Sequence, residues 1–414
     1  MTWSLVKGCF TGILASGVAR EDYMADDFAH RRNAAYRNST RMLIAHGRQT
    51  QAAWLRELAD WIEEAAGGLD PLPDRRGVGA EVTDLEEEVA DLLGKPAAVL
   101  MPSGIMAQQA ALRAWAERSG RNTVGLHEES HFLVYELDAI RELHGLRPVV
   151  VTEPPRPTLA SDLAQIPEPL GVLTVEIPLR DCGHVLPSWD ELAELSEAAA
   201  QRGVPFHMDG ARIWESAPFL GHSFAEIAGL AESVYVSLYK GLGGMGGALL
   251  AGPQDFIADA RRWRVRHGGN LPSLFPLAAA GRIGLRRYLP HMEAYVLRAR
   301  EIAAAIQASG VALTYPSPPH TNTFRVFLAA PAAALNLAVV TYAEDTGEWS
   351  FPRDFRDTEV PGWAMAEFIV GEATLPWQFD EVVDLLAGLR DRARKGEDPA
   401  GLRLAAGARP SSSR

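Results

Sequence analysis

Over most of this chain, short apolar runs alternate with stretches whose apolar positions recur every three to four residues. Unbroken apolar or period-two runs predict strands, and a period near 3.6 predicts helices. Ala98–Met101, Thr123–Leu126, Pro148–Thr152, Val172–Ile177 and Pro205–Met208 read as strands. A further buried strand opens at Ser233, and a short one covers Gly246–Gly252. Strands this uniformly apolar are buried on both faces, and their alternation with helices implies a mostly parallel sheet. Ser188-Trp-Asp-Glu191 is a capping box that opens a helix running to Gln201. Upstream, residues 21–66 are helical in tone, with Trp54, Leu55, Leu58, Trp61 and Ile62 at helical spacing. Gly67–Asp74 breaks that pattern. Downstream, a helix from His291 to Ala308 leads into a smaller α+β part. Its strands are Thr323–Leu328 and Ala366–Val370, and the helix Phe379–Arg394 closes it.

The length of 414 residues allows a large core and more than one domain. A net charge of −13 argues against a nucleic-acid surface. Two cysteines, Cys9 and Cys182, argue against a disulfide framework and fit a reducing, cytoplasmic setting. No apolar run reaches the roughly 18 residues a membrane span needs. Gly8–Ala19 is mildly apolar and reads as a flexible leader rather than a signal peptide. Residues 395–414 are rich in Gly, Ala, Pro and Ser and read as a disordered tail.

Candidate chemistry enters with Lys240. The stretch Ser233-Val-Tyr-Val-Ser-Leu-Tyr-Lys-Gly-Leu-Gly-Gly-Met-Gly-Gly247 delivers one lysine from a buried strand into a glycine-rich turn. Thirty-one residues earlier, Asp209 ends another apolar strand, with Arg212 just beyond. Taken singly, such a lysine is ordinarily a solvated turn residue and an Asp-Gly ordinarily a turn. Together they suit something sharper. A lysine held out of water loses its proton and becomes a nucleophile. A strand-end acid can keep a pyridinium nitrogen protonated. That pair is the protein's share of pyridoxal phosphate chemistry. Pro102-Ser-Gly-Ile-Met106 follows a strand and opens a helix, so Ser103, Gly104 and Ile105 offer a phosphate seat; without the lysine they would read as a plain Ser N-cap. Ser237 is a second, weaker phosphate candidate. His207 lies two residues before Asp209, on the same face of a regular strand, and reads as support for the site rather than a reactant.

His207-Met-Asp-Gly-Ala-Arg-Ile-Trp214 followed by Ser237-Leu-Tyr-Lys-Gly-Leu-Gly243 resembles the threonine aldolase / β-eliminating lyase family of fold-type I pyridoxal phosphate enzymes. Gly77–Ala90, Leu93–Met106 and Arg266-His-Gly-Gly-Asn270 resemble further segments of that family. The resemblance covers roughly residues 75 to 275. It implies an aminotransferase-like α/β fold with a cofactor-binding large domain over 75–285 and a small C-terminal domain over 286–394. The leader over 1–20 and the helical segment over 21–74 precede them. It also implies roles: Lys240 carries the cofactor, His131 stacks on its ring, and Asp209 bonds the ring nitrogen. Arg212 holds a carboxylate or the ring-oxygen side, Glu176 matches a family position on the substrate side, and Glu136 matches a glutamate of unassigned role.

Three departures touch the substrate side. The family's N-terminal "RSDT" segment has no clear copy, Asn38-Ser-Thr40 being a loose counterpart. Its histidine-bearing loop is replaced by Glu176–His184, which makes Arg180 and His184 the expected substitutes. Its C-terminal arginine falls near Glu367, where there is none, so Arg180 and Arg212 are expected to share the substrate carboxylate. The implied activity is retro-aldol cleavage of a β-hydroxy-α-amino acid to glycine and an aldehyde. Weak action on threonine and better action on a bulkier or aryl substrate are expected. β-Elimination is the alternative, and a non-catalytic binding homologue is the second. The expected assembly is a homodimer or homotetramer.

Overall fold

The computed structural model describes residues 17–65, 67, 72–153 and 155–395, with side chains from Phe28 onward. Of the leader expected over 1–20, residues up to 16 lie outside the described residues and residues 17–20 already belong to a helix; of the tail expected over 395–414, Lys395 ends a helix and the rest lies outside the described residues. The N-terminal segment is helical as its periodicity predicts, with α1 (Gly17–Asn38) and α2 (Gln51–Ala65). Between them, however, lies a three-residue strand, β1 (Arg41–Leu43), too short for any periodicity to show.

The central sheet has seven strands: β2 (Ala97–Met101), β3 (Thr123–His127), β4 (Arg147–Thr152), β5 (Val172–Glu176), β6 (Phe206–Asp209), β7 (Ser233–Ser237) and β8 (Ala248–Gly252). Their spatial order is β2-β8-β7-β6-β5-β3-β4, and only β8 runs against its neighbours. Every residue of β7 and β8 is buried, the condition their unbroken apolar sequences anticipate. Alternate residues feed two cores. Leu100, Phe206, Met208, Val234 and Val236 face one. Val99, Met101, Leu126, Tyr235 and Leu250 face the other, against the helix α4 (Gly104–Ser119), which follows α3 (Ala80–Leu92). The capping box at Ser188 forms as read, with Ser188 Oγ accepting from Glu191 N and Glu191 returning to Ser188 N.

The smaller part holds a second, antiparallel sheet: β9 (Leu313–Tyr315), β10 (Thr323–Leu328), β12 (Arg356–Asp357) and β13 (Ala364–Ile369), ordered β12-β13-β10-β9. Phe324 and Phe368 stack across β10 and β13 with centroids 5.1 Å apart. The strand β11 (Glu348–Ser350) leaves this sheet and pairs in parallel with β1, tying the N-terminal segment to the C-terminal part. Among the described residues no helix is long and apolar enough to cross a membrane.

The glycine-rich turn after β7 is held from outside by the helix Phe275–Arg287. A Cβ on Gly284 would overlap the Leu242 carbonyl oxygen, and one on Gly281 would press on Leu238. Asp74 fixes the start of that helix, accepting from Leu274 N at 2.7 Å and Phe275 N at 2.8 Å. Gly284→Ala is therefore expected to push the helix off the turn and to cost about 1–3 kcal/mol, as overpacking of a filled interior does. A denaturant midpoint equal to wild type would contradict this.

Candidate active site

The carboxyl ends of β5, β6 and β7 meet above one cleft of about 380 Å³. His131, Arg180, Arg212, Glu215, Lys240 and Gly241 line it from the large domain. Ile44, Ala45 and His46 close it from the N-terminal segment. Asn322, Thr323, Arg353 and Ile369 close it from the C-terminal part.

Lys240 stands three residues past β7. The surrounding protein pushes its pKa down to about 8, first by burial and then by the positive charge of Arg212. Asp209 is 3% exposed at the end of β6. Burial pushes its carboxyl above the ordinary value, against the pull of Lys240 and His131. It accepts from Gln108, on α4, and from Ala211 N at 3.1 Å. Glu176, its neighbour on β5, is raised to about 7, by burial first and by Asp209 second. Its two oxygens accept from His131 N and Arg180 N, each at 3.1 Å. Glu176 thus stands behind the two residues whose backbones it holds, while their side chains line the cleft.

His131 forms the cleft wall. Its Nδ1 lies 2.9 Å from Glu136 Oε1, and Gln109 donates to the other Glu136 oxygen at 2.7 Å. Burial opposes charge on His131, but the Glu136 hydrogen bond and Asp209 outweigh it, and the imidazole pKa rises. The position of Glu136 therefore has a structural reason: it fixes the ring of His131.

The expected substitutes on the substrate side turn out differently. Arg180 donates through Nε and Nη2 to both oxygens of Glu367, at 3.0 and 3.2 Å. That takes its bidentate edge. His184 is fully buried, with Nε2 3.3 Å from Glu367 Oε1. It does not reach the cleft, so it cannot replace the family's loop histidine. Arg212 shows no side-chain partner among the described residues and keeps its fork for a ligand. The shared carboxylate anchor is corrected accordingly: Arg212 retains that capacity, whereas Arg180 is engaged by Glu367 and has its Nη1 4.0 Å from Asp181 Oδ2.

Ser103 caps α4, accepting from Met106 N at 3.2 Å. With Ile105 and Gln109 it lines a second recess of about 540 Å³. Gly104 packs so closely that a Cβ would overlap the Tyr235 hydroxyl. Ser237 is buried and accepts weakly from Tyr239 N at 3.4 Å. The walls that the N-terminal segment and the C-terminal part supply escaped sequence reasoning, among them Asn322, Arg353 and His46, whose Nε2 lies 3.2 Å from the Lys240 carbonyl, and so did Glu215. The single cue was for His46, a histidine-glycine step after an apolar run.

The sequence profile described as Beta-eliminating lyase matches residues 73–331. The chain belongs to the beta-eliminating lyase family. A curated relative, low-specificity L-threonine aldolase 1 of Arabidopsis thaliana, is 28% identical over 263 residues, covering 61% of this chain and 73% of the relative. Among solved structures, one from Exiguobacterium sp. 255-15 is provisionally designated aromatic amino acid beta-eliminating lyase/threonine aldolase. It is 32% identical, with a TM-score of 0.79 over 87% of this chain and 99% of its own. One from Listeria monocytogenes EGD-E, provisionally designated L-allo-threonine aldolase, is 30% identical, with a TM-score of 0.80 over 88% and 99%.

Membership of the beta-eliminating lyase family and the fold-type I sheet agree on pyridoxal phosphate as cofactor, and the residues present fit it. Asp209 is a buried carboxylate that makes no direct ion pair among the described residues, a place a protonated ring nitrogen would fill. The 16-residue helix α4 presents its N-terminus at Ser103, where the dipole favours a phosphate. Lys240 is the depressed amine the link requires. In the cofactor-free protein, the rate at which Lys240 reacts with an amine-directed reagent is expected to rise with pH through a midpoint near 8. A midpoint at the ordinary lysine value, about 10.4, would refute the depressed amine.

Proposed function

We propose that this protein is a pyridoxal phosphate-dependent lyase that breaks the Cα–Cβ bond of a β-hydroxy-α-amino acid, releasing glycine and an aldehyde. One observation carries the reading: Lys240 and Arg212 line a single cleft, with the buried Asp209 close enough to Lys240 for the two to shift each other, in a chain similar to low-specificity L-threonine aldolases. When bound, pyridoxal phosphate supplies an electron sink at the substrate α-carbon.

The protein's own groups divide the remaining work. Lys240 Nζ, neutral above about pH 8, is the amine that would hold the cofactor and, once released, would take or give a proton beside the substrate α-carbon. Asp209 keeps the ring nitrogen protonated. His131, locked by Glu136, covers the ring. Ser103, Gly104 and Ile105 hold the phosphate at the start of α4, with Ser237 a lesser contact. Arg212 grips the substrate carboxylate through two parallel N–H bonds. Glu176, raised to about 7, is the second group able to exchange a proton near neutrality, and it sets the substrate side through the backbones of His131 and Arg180.

The reading extends to assembly and setting. Leu72, Val78 and Leu271 expose 90%, 74% and 39% of their surface around the Asp74 hub, which supports a symmetric contact between copies. Cys182 is buried and unpaired, which supports the cytoplasm.

Product identity across threonine, allo-threonine and β-phenylserine tests the reaction. Glycine plus aldehyde is expected; ammonia plus a keto acid would make the protein a β-eliminating enzyme instead. Lys240→Ala is expected to lose the borohydride-reducible adduct and nearly all turnover. Asp209→Ala should lower kcat by at least ~100-fold, comparable with removing a strong electrostatic stabiliser. Arg212→Ala should reduce kcat/KM by about 10- to 100-fold while the cofactor still attaches, as loss of a charge-assisted carboxylate contact does. Light scattering at assay concentration should report a dimer or tetramer, and an active monomer would end that part of the proposal.

A further inference from the structure

Behind Asp209, a line of buried side chains runs away from the cleft. Trp115, on α4, donates from Nε1 to Ser233 Oγ at 2.8 Å. Ser233 Oγ lies 2.8 Å from His207 Nδ1. His207 Nε2 lies 2.8 Å from Gln108 Oε1, and Gln108 Nε2 meets Asp209 Oδ2. Exposure along the line is 7% for Trp115, 0% for Ser233 and His207, 2% for Gln108 and 3% for Asp209.

We propose that Trp115, Ser233, His207 and Gln108 form a one-way hydrogen-bond relay that fixes the protons behind Asp209 and keeps its carboxylate an anionic acceptor for the cofactor ring nitrogen. The proposal rests on the pyridoxal phosphate reading of the site, though its first test does not need the cofactor.

The direction follows from the chemistry of the two ends. An indole N–H can only donate, and a carboxylate only accepts. Ser233 Oγ therefore accepts from Trp115, and its own proton is free to point at His207 Nδ1. The acceptor-only carboxylate turns the Gln108 amide nitrogen toward Asp209, so Gln108 Oε1 faces His207, whose Nε2 must donate to it. The single proton of the neutral ring therefore sits on Nε2, and Nδ1 accepts from Ser233. Each ambiguous group, the hydroxyl rotor, the imidazole tautomer and the amide orientation, is thereby decided by its neighbour. Burial drives the His207 pKa down to about 3, which fits a neutral ring. A charged ring would place an N–H against the serine proton.

The consequence reaches the cleft through Asp209. Burial raises the proton affinity of its carboxyl, which draws the shared proton off the ring nitrogen. A donor from Gln108 lowers that affinity, because a hydrogen bond to the charged form favours it. His207, held at the Gln108 carbonyl, keeps the amide oriented with its nitrogen toward Asp209. These four residues are positioning residues and touch no substrate. α4 thus does two jobs along one chain, since Gln108 and Trp115 both belong to the helix that begins at Ser103.

Histidine-selective ¹⁵N NMR of the full chain, with and without cofactor, tests the relay. His207 is expected to stay neutral with its proton on Nε2 from about pH 5 to 9. A proton on Nδ1, or titration in that range, overturns the relay whether or not the protein is an aldolase. Gln108→Leu is then loaded with ring-¹⁵N pyridoxal phosphate. The ring nitrogen shift should move toward the unprotonated value, and kcat should fall about 10- to 100-fold with KM changed less than about 3-fold, as loss of an orienting partner does. A variant with lower thermal stability but an unchanged ring nitrogen shift would reduce Gln108 to packing. Ser233→Ala provides the second variant: it should change the ¹⁵N shift of His207 Nδ1, and an unchanged shift also overturns the relay. If wild type keeps the expected tautomer but the labelled cofactor never attaches, the cofactor reading fails and with it the purpose assigned to the relay.

Discussion

A carboxylate buried at the end of a parallel strand survives only among donors and positive charge. Asp209 is in that position, and much of the large domain is arranged around it. Its strand lies between β5 and β7, so its neighbours in register are Glu176 and Tyr235. The turn after β7 brings Lys240 near enough for the two groups to shift each other. α4 supplies Gln108 from one side, and Ala211 supplies a backbone N–H from the next turn. The strands and α4 thus set Asp209 and Gln108, while Lys240 and the Ala211 N–H come from the turns that follow the strands.

A second arrangement of charge decides what the cleft has left to offer a ligand. Glu367, on β13 of the small domain, is held well below the ordinary carboxylate range: burial opposes its charge, but His184 and Arg180 outweigh it. The chain thereby places its own carboxylate on an arginine that would otherwise be open to a substrate. Arg353 lies 3.8 Å from the same glutamate but stays mostly in solvent. Among the described residues Arg212 keeps an unpaired fork in the cleft, beside Glu215, whose Oε2 lacks a partner. The departures seen in the sequence near Glu367 and His184 are thus one feature, an internal ion cluster joining the two domains.

How far the sequence reveals this depends on distance along the chain. The seven strands of the large sheet are legible because each is a short apolar run, most of them buried on both faces, although the bounds differ by a residue or two and the edge strand β4 leaves Val150 exposed. Lys240, Asp209, His131 and Arg212 are legible because they follow such runs, where a parallel sheet collects side chains. Gln108 is hidden because a polar residue on an amphipathic helix reads as solvated; only the partner 101 residues away shows that it is buried. Arg180 shows why a residue type is insufficient. Its charge is legible, but its partner is 187 residues later, and that partner decides what it can bind. The short strands β1, β9, β11 and β12 carry too few residues for any period, and tertiary pairing alone defines them.

The pairing of Arg41 with Glu348 has a consequence for the order in which this protein can mature. The cleft takes residues 44–46 from one end of the chain and residues 322–369 from the other. During synthesis the large sheet is complete once residue 252 has left the ribosome, and nothing local delays it. The walls must wait until the last third of the chain has emerged and β1 has found its partner across some three hundred residues, a late step in any folding sequence governed by loop closure. A nascent chain stalled before that point would hold Lys240 and Asp209 on a formed sheet, open to solvent and without selectivity. Burial is what lowers the proton affinity of Lys240, so the neutral, reactive amine belongs to the finished chain, and an incomplete one would carry an ordinary protonated lysine in its place.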